Sequence, residues 1–461
     1  MNSTSLNSGP TYCSWRGLII FVLILVFQPA KASFYAFRPS DVWLLFCLFM
    51  QLKNGYNIIL PFRNRLLIKN FGLLMGVLAI ISTLIQASYA RLSLDISFLA
   101  QFYFFLRFLL IFKFVENILP NFTIYDVEKF LRAYTLMGIV ILILSYLEFN
   151  NIMGFRPLMV KLYYQSPEDT INQYLIKVDR LCGILGNPNS TAILLVTTLP
   201  YPLLKIADSG GWLIERTIYG AFVLFSAYVL VVYTGSRASV FISLSMPVIV
   251  LVVASRRLKD LLLVATMILL LAATGAYLYH RFRSKIIVQE RITKAVQGGD
   301  NYQVSAKGFG KWTNRYELWQ DRYNTFNSVG NQLSVLLGLG YTKAYKDYAD
   351  NGLLSAFFNN GLTGLILKLL LFYIFIRSGF LWALRYSLYS EIDYFNLAFA
   401  LSAVALLLLE LTIDVIQHYK LGQLFYLFLS VSILSVVQYS RQEASEVINK
   451  GYLIERDTYS P

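Results

Sequence analysis

Charged side chains are scarce in this chain. Asp, Glu, Lys and Arg make up 14% of its 461 residues, against 57% apolar and 16% aromatic residues. A soluble domain carries about a quarter charged residues, so this balance excludes an ordinary soluble protein and points to a multi-pass membrane protein. Cysteine is scarce too. Cys13, Cys47 and Cys182 lie far apart, with no CxxC or metal-ligand spacing, which excludes a disulfide framework. The alternation of apolar and polar residues that marks a membrane β-barrel strand is missing. Its place is taken by continuous runs such as LLLVATMILLLAATGAYLY, residues 261–279. Lipid offers no water to an unpaired backbone group, so these runs are expected to be helices and the fold class all-α. No cleavable signal is evident, and the first apolar stretch reads as a short span or anchor.

A crossing helix needs roughly 20 apolar residues. The expected spans are about 17–35, 39–53, 69–88, 94–115, 131–149, 189–206, 217–234, 238–254, 260–279, 352–376, 393–413 and 421–439. Twelve spans put both termini on one side, and the positive-inside rule makes that side the cytoplasm. Residues 1–279 then hold nine spans, with a shorter outer loop at about 150–188. Residues 280–351 form a large, partly helical outer loop, 352–440 hold three more spans, and 441–461 are a cytoplasmic tail. The formal charge is +14. Its basic residues are scattered between spans, which argues against nucleic acid as a partner and for the lipid bilayer. The large loop carries eleven basic and six acidic residues, a net of +5. That excess suits either anionic headgroups or an anionic ligand such as a lipid pyrophosphate.

Four stretches place polar residues at span ends on the outer side. RLCGILGNPNSTA, residues 180–192, has Asn187 before Pro188, a pattern that caps and starts a helix. Capping leaves Arg180 and Asn189 unexplained, and exposed backbone donors beside an arginine make an anion site. VVYTGSRASVF, residues 231–241, turns on Gly235 and Ser236 and puts Arg237 at the start of a span. A charge there either snorkels to headgroups or faces the bundle interior, and the second reading is favoured by Arg180 on the same side. KWTNRYELWQDRYNTF, residues 311–326, spaces Trp312, Tyr316, Trp319, Tyr323 and Phe326 along one helical stripe. Arg315 and Arg322 border it, with Glu317 and Asp321 opposite; the stripe itself suits an interfacial helix. LLGLGYTKAYKDYADNGLLSAFFNNGLTGLI, residues 336–366, has a Gly-x-Gly turn and then Asp350 and Asn351 entering an apolar helix. Either can be a cap, and Asp350 also sets a carboxylate on the face that holds the arginines. Glu410 and Asp414, one turn apart in the penultimate span, are further acidic candidates.

This succession resembles the O-antigen polymerase and ligase superfamily. The matching elements are Arg180, Gly183, Pro188 and Asn189; Thr234 to Arg237; Arg315 and Trp319; Gly338 and Gly340; and Asp350 and Asn351. The likeness covers about 180–366. Ligases of that superfamily carry a histidine in the last element. Here that position holds Asp350, and His280 and His418 lie elsewhere, which favours the polymerase branch.

The resemblance implies a glycosyltransferase of the bacterial inner membrane that joins polyprenyl-pyrophosphate-linked oligosaccharide repeats at the periplasmic face. Arg180, Arg237 and Arg315 would stabilise the departing pyrophosphate, and Asp350 would serve as base, with Glu317 and Glu410 as weaker alternatives. Asn187, Asn189, Trp319, Arg322 and Asn351 would bind substrate. A chain-length regulator and a flippase are the implied protein partners. No DxD motif occurs in the outer segments, so transfer without metal or other cofactor is expected. Two other readings stand beside this one: a ligase moving the glycan to a different acceptor, and a flippase or transporter of lipid-linked sugar. A transporter would show midplane polar sites in broken helices.

Overall fold

The computed structural model describes residues 15–29, 38–54, 66–89, 97–119, 124–163, 181–207, 213–234, 237–254, 312–330, 332–340, 351–381, 391–410 and 420–434. Within them the chain is nearly all helical, with no strand. The helices are α1 (Trp15–Phe27), α2 (Pro39–Lys53), α3 (Leu66–Tyr89), α4 (Ser97–Ile118), α5 (Ile124–Phe149) and α6 (Phe155–Tyr163). They continue as α7 (Pro188–Thr197), α8 (Pro200–Ala207), α9 (Leu213–Val229), α10 (Arg237–Ala254), α11 (Trp312–Val329) and α12 (Gln332–Leu337). The last three are α13 (Gly352–Phe375), α14 (Glu391–Glu410) and α15 (Lys420–Leu434). The expected span at 260–279 and the tail lie outside the described residues. The first helix ends at Phe27, well short of the expected 17–35.

Among the described residues three stretches are long and apolar enough to cross a membrane by length and composition: Tyr125–Phe149, Pro188–Ala207 and Gly352–Phe375. Four shorter apolar helices accompany them. One hydrophobic core joins α1 to α10 and α13 to α15. Aromatic rings set its register. Phe130 of α5 stacks on Phe399 of α14 at 5.4 Å, and Tyr134 meets Phe428 of α15 at 5.2 Å.

Two of the three long stretches are interrupted. Pro200 lacks the N–H that would continue α7. The ladder tightens there, with Leu199 N–H donating to Val196 O at 3.2 Å, and Ser402 of α14 supplies a hydroxyl to Thr197 O at 2.9 Å. A side chain from a neighbouring helix thus satisfies a freed carbonyl, as an apolar surrounding requires.

The interruption in α13 is larger. Gly361 has φ +65° and ψ −163°, a conformation open in practice only to glycine. Gly352 and Lys368 would be roughly 24 Å apart on a straight helix. Yet Lys368 Nζ donates to Gly352 O at 2.7 Å. A lysine side chain bridges only a fraction of that separation, so the two legs fold back on each other. The expected span at 352–376 is therefore a helical hairpin. Its second leg runs on through a π-helical turn at Ile376–Phe380 to Leu381, which gives it about 30 Å, a bilayer's width.

Candidate functional site

Polar groups gather at both ends of the bundle, and backbone register shows which lie together. Tyr134 Oη meets Thr197 Oγ1 at 2.7 Å, and Ser402 donates to Thr197 O, so α5, α7 and α14 share that level. Moving away from the Phe130–Phe399 stack, Glu148 lies roughly 21 Å up α5, Pro188 roughly 14 Å along α7, and Glu410 roughly 12 Å along α14. All three run toward one end.

At that end the RLCG turn is pinned on two sides. Leu181 N–H donates to Tyr233 O at 3.0 Å, which joins it to the turn that precedes Arg237. Gly183 N–H donates to the buried Glu148 carboxylate at 2.6 Å. Gly183 has φ +61°, and a Cβ there would collide with the Ser145 hydroxyl, so glycine is required at this position of the motif. Thr191 Oγ1 closes the turn by donating to Cys182 O. The two elements that sequence reading placed on one face, 180–192 and 231–241, are in backbone contact.

Asn187 accepts from Asn189 N–H at 2.9 Å and from Ser190 N–H at 3.3 Å, with Pro188 in the first turn. The capping role expected of it is present, and it uses the side-chain oxygen. Asn189 is partly buried in the same turn. Arg180 lies outside the described residues. Arg237 begins α10, but its side chain is outside them. Before it, α9 closes in a π-helical turn, Leu230–Thr234, whose Thr234 hydroxyl donates to Leu230 O at 2.8 Å.

The second cluster is built on the α13 hairpin. Asn351 caps it, accepting from Leu353 N–H at 2.9 Å and Leu354 N–H at 3.1 Å. Glu410 lies against Gly352, where a Cβ would collide with its carboxylate. Glu410 is 1% exposed and paired with Lys368, which is 3% exposed. Asn351 and Glu410, 59 residues apart in the chain, therefore meet at the start of one helix. Asp350 and Asp414 lie outside the described residues.

The Gly-x-Gly element serves the break in α13. Leu339 N–H donates to Phe358 O at 2.8 Å and Gly340 N–H to Asn359 O at 2.9 Å. These bonds satisfy carbonyls that the interruption frees. Gly338 and Gly340 have φ +75° and +65°, and a Cβ would strike the Asn359–Asn360 backbone in the first case and the Thr83 backbone in the second. Gln86 of α3 donates to Ser334 Oγ at 2.8 Å and to Gly338 O at 2.9 Å, tying the element to α3. Asn360, at the break, is fully buried, and neither of its side-chain polar atoms has a partner among the described residues.

Helix α11 packs onto the first leg of the hairpin. Phe326 lies 5.3 Å from Phe357 and 5.8 Å from Phe358, ring to ring, with Leu339 in the same cluster. Its buried face differs from the expected stripe. Arg322 and Phe326 are buried and Trp319 half-buried, whereas Tyr323 is exposed. The stripe is rotated so that Arg322, expected at its border, faces inward. Arg315 and Glu317 lie on the first turns of α11, with side chains outside the described residues.

Sequence reading missed Glu148 and Lys368. Each is a single charge inside an apolar run, and such charges were themselves the available signal. Cys47 and Cys182 are buried, and Cys13 lies outside the described residues. Among the described residues no group of three or more His, Cys, Asp or Glu is arranged to hold a metal ion. No family model matches the chain, and no curated protein matches it.

Proposed function

We propose that the protein is a polysaccharide polymerase of the O-antigen polymerase and ligase kind. In this reading it is a polytopic inner-membrane protein of about twelve spans whose Glu148–Glu410 end faces the periplasm. It joins polyprenyl-pyrophosphate-linked oligosaccharide repeats. The acceptor hydroxyl attacks the anomeric carbon of the growing chain and gives its proton to Asp350. The anomeric C–O bond breaks, and its electron pair leaves on the polyprenyl pyrophosphate. Arg180, Arg237 and Arg315 stabilise that charge through paired N–H donors. The observation that most supports the reading is the Leu181–Tyr233 bond, because it joins the two arginine-bearing elements through backbone.

Two outcomes test it. Purified protein incubated with synthetic lipid-linked repeats should give a ladder of products, and unchanged substrate would refute the polymerase. Asp350→Asn should then abolish the ladder. The cap of α13 is Asn351, so this substitution leaves the cap intact and reads the carboxylate alone.

One observation favours a second reading, a transporter of lipid-linked sugar. The break in α13, with Asn359 and Asn360 beside it, is the kind of interrupted helix that transporters use. In proteoliposomes that reading predicts repeats moved between leaflets with no change in their length.

A further inference from the structure

We infer that Lys368 and Glu410 form a positioning pair that fixes the corner from which the first leg of the α13 hairpin starts. The inference rests on the proposed polymerase only for its kinetic consequence; the geometry stands without it.

Three elements meet at the pair. Lys368 belongs to the second leg, Gly352 O to the first turn of the first leg, and Glu410 to the end of α14. Lys368 Nζ donates to the Gly352 carbonyl and is ion-paired with the Glu410 carboxylate. The carboxylate also packs on Gly352, at a helix N-terminus where a negative charge is favoured. Remove the pair and the first leg loses a polar tie both to its own second leg and to α14. The Asn351 cap holds the first turn of that leg through Leu353 and Leu354.

The choice of groups supports a directional role. A buried ion pair is weak evidence for stability, because apolar side chains of similar size often replace one at no loss. Its value lies in orientation. Here the ammonium needs two acceptors at one point, and a backbone carbonyl is one of them. That fixes the axial position of the first leg as well as its closeness. Consecutive Cα atoms are about 3.8 Å apart, so a fixed Asn351 also fixes the point from which Asp350 departs. Glu410 therefore acts through the hairpin and not as a base: it is buried and engaged with Lys368 and the start of α13.

The test compares wild type, Glu410→Gln and the apolar pair Lys368→Met/Glu410→Leu, all purified in detergent. The apolar pair is the informative variant, since it leaves no unpaired buried charge. Hydrogen exchange over 353–360 is the first readout. Exchange there should rise at least tenfold in the apolar pair, with 365–375 unchanged; equal protection in both legs would overturn the inference. The second readout is the rate of ladder formation against substrate concentration. The pair should lower kcat at least tenfold and leave KM within about threefold, and a kcat within twofold of wild type would also overturn it. If wild type makes no ladder while exchange behaves as stated, the polymerase reading fails and the positioning pair stands.

Discussion

The two ends of the bundle use charge differently. At one end Glu128 of α5 bonds Lys205 of α8 at 2.6 Å and Arg132 at 3.1 Å, and Arg132 reaches Glu215 of α9 at 3.4 Å. These groups sit on regular helices, and Arg132 is 49% exposed. At the other end Glu148, Lys368 and Glu410 are buried, and each contacts irregular backbone or a helix terminus. The first end pairs side chains with side chains. The second holds a glycine turn, a π-helical turn and a doubled-back helix in place. Regular helices need no such support, because their backbone bonds are internal. Charges buried beside interrupted backbone therefore mark where the fold departs from a simple bundle, and the turn at 181–187, the turn at 230–234 and the Asn351 cap fall at that end.

Three substitutions sharpen this contrast, in falling order of effect. Gly361→Ala forces alanine into a glycine-only conformation and drives its Cβ into the Leu336 carbonyl. Strain and overpacking together should destabilise by about 2–5 kcal/mol. The expected result is a sharp drop in membrane abundance, or a lowered Tm where protein survives. Glu148→Ala strands the buried Gly183 N–H, at a cost of about 1–3 kcal/mol, whereas Glu148→Gln keeps an acceptor and should lie much closer to wild type. Thermal unfolding of the two side by side distinguishes a lost acceptor from a lost charge. Arg132→Ala, at the opposite end, should cost less than about 1 kcal/mol, as exposed pairs do. A Tm shift from Arg132→Ala as large as that from Glu148→Ala would erase the contrast.

Much of the end with the interrupted backbone was legible in the chain, and the reason is local chemistry. Asn187-Pro188 spells a cap and a first helical turn, and Asn351 a cap, because each acts on backbone within three residues. Gly338 and Gly340 mark positive φ, which follows from the missing Cβ. The hairpin in α13 was not legible. Asn359, Asn360 and Gly361 sit in an apolar run that averages to one long span, and the partners that stabilise the break, Leu339, Gly340 and Gln86, come from elsewhere in the chain. Lys368 was hidden for the same reason, and so was its pairing with Glu410, since a single charge barely lowers the hydropathy of a span and the two residues lie 42 positions apart. The rotated face of α11 was missed because an aromatic stripe outranks an arginine in any apolar pattern, while Arg322 is buried beside Phe326 and Tyr323 of the stripe is exposed.

In the proposed function, chemistry resides at the end with the interrupted backbone. Arg237 begins α10 just beyond the turn bonded to Leu181, and Arg132 lies at the far end. The most direct measurement is the ladder assay on purified Arg237→Lys and Arg132→Ala, matched for folded protein. Lysine cannot reproduce a guanidinium's paired contacts with a pyrophosphate, so Arg237→Lys should lose at least tenfold in rate while Arg132→Ala stays within about twofold of wild type. Equal rates from the two variants, or a greater loss in Arg132→Ala, would contradict the claim.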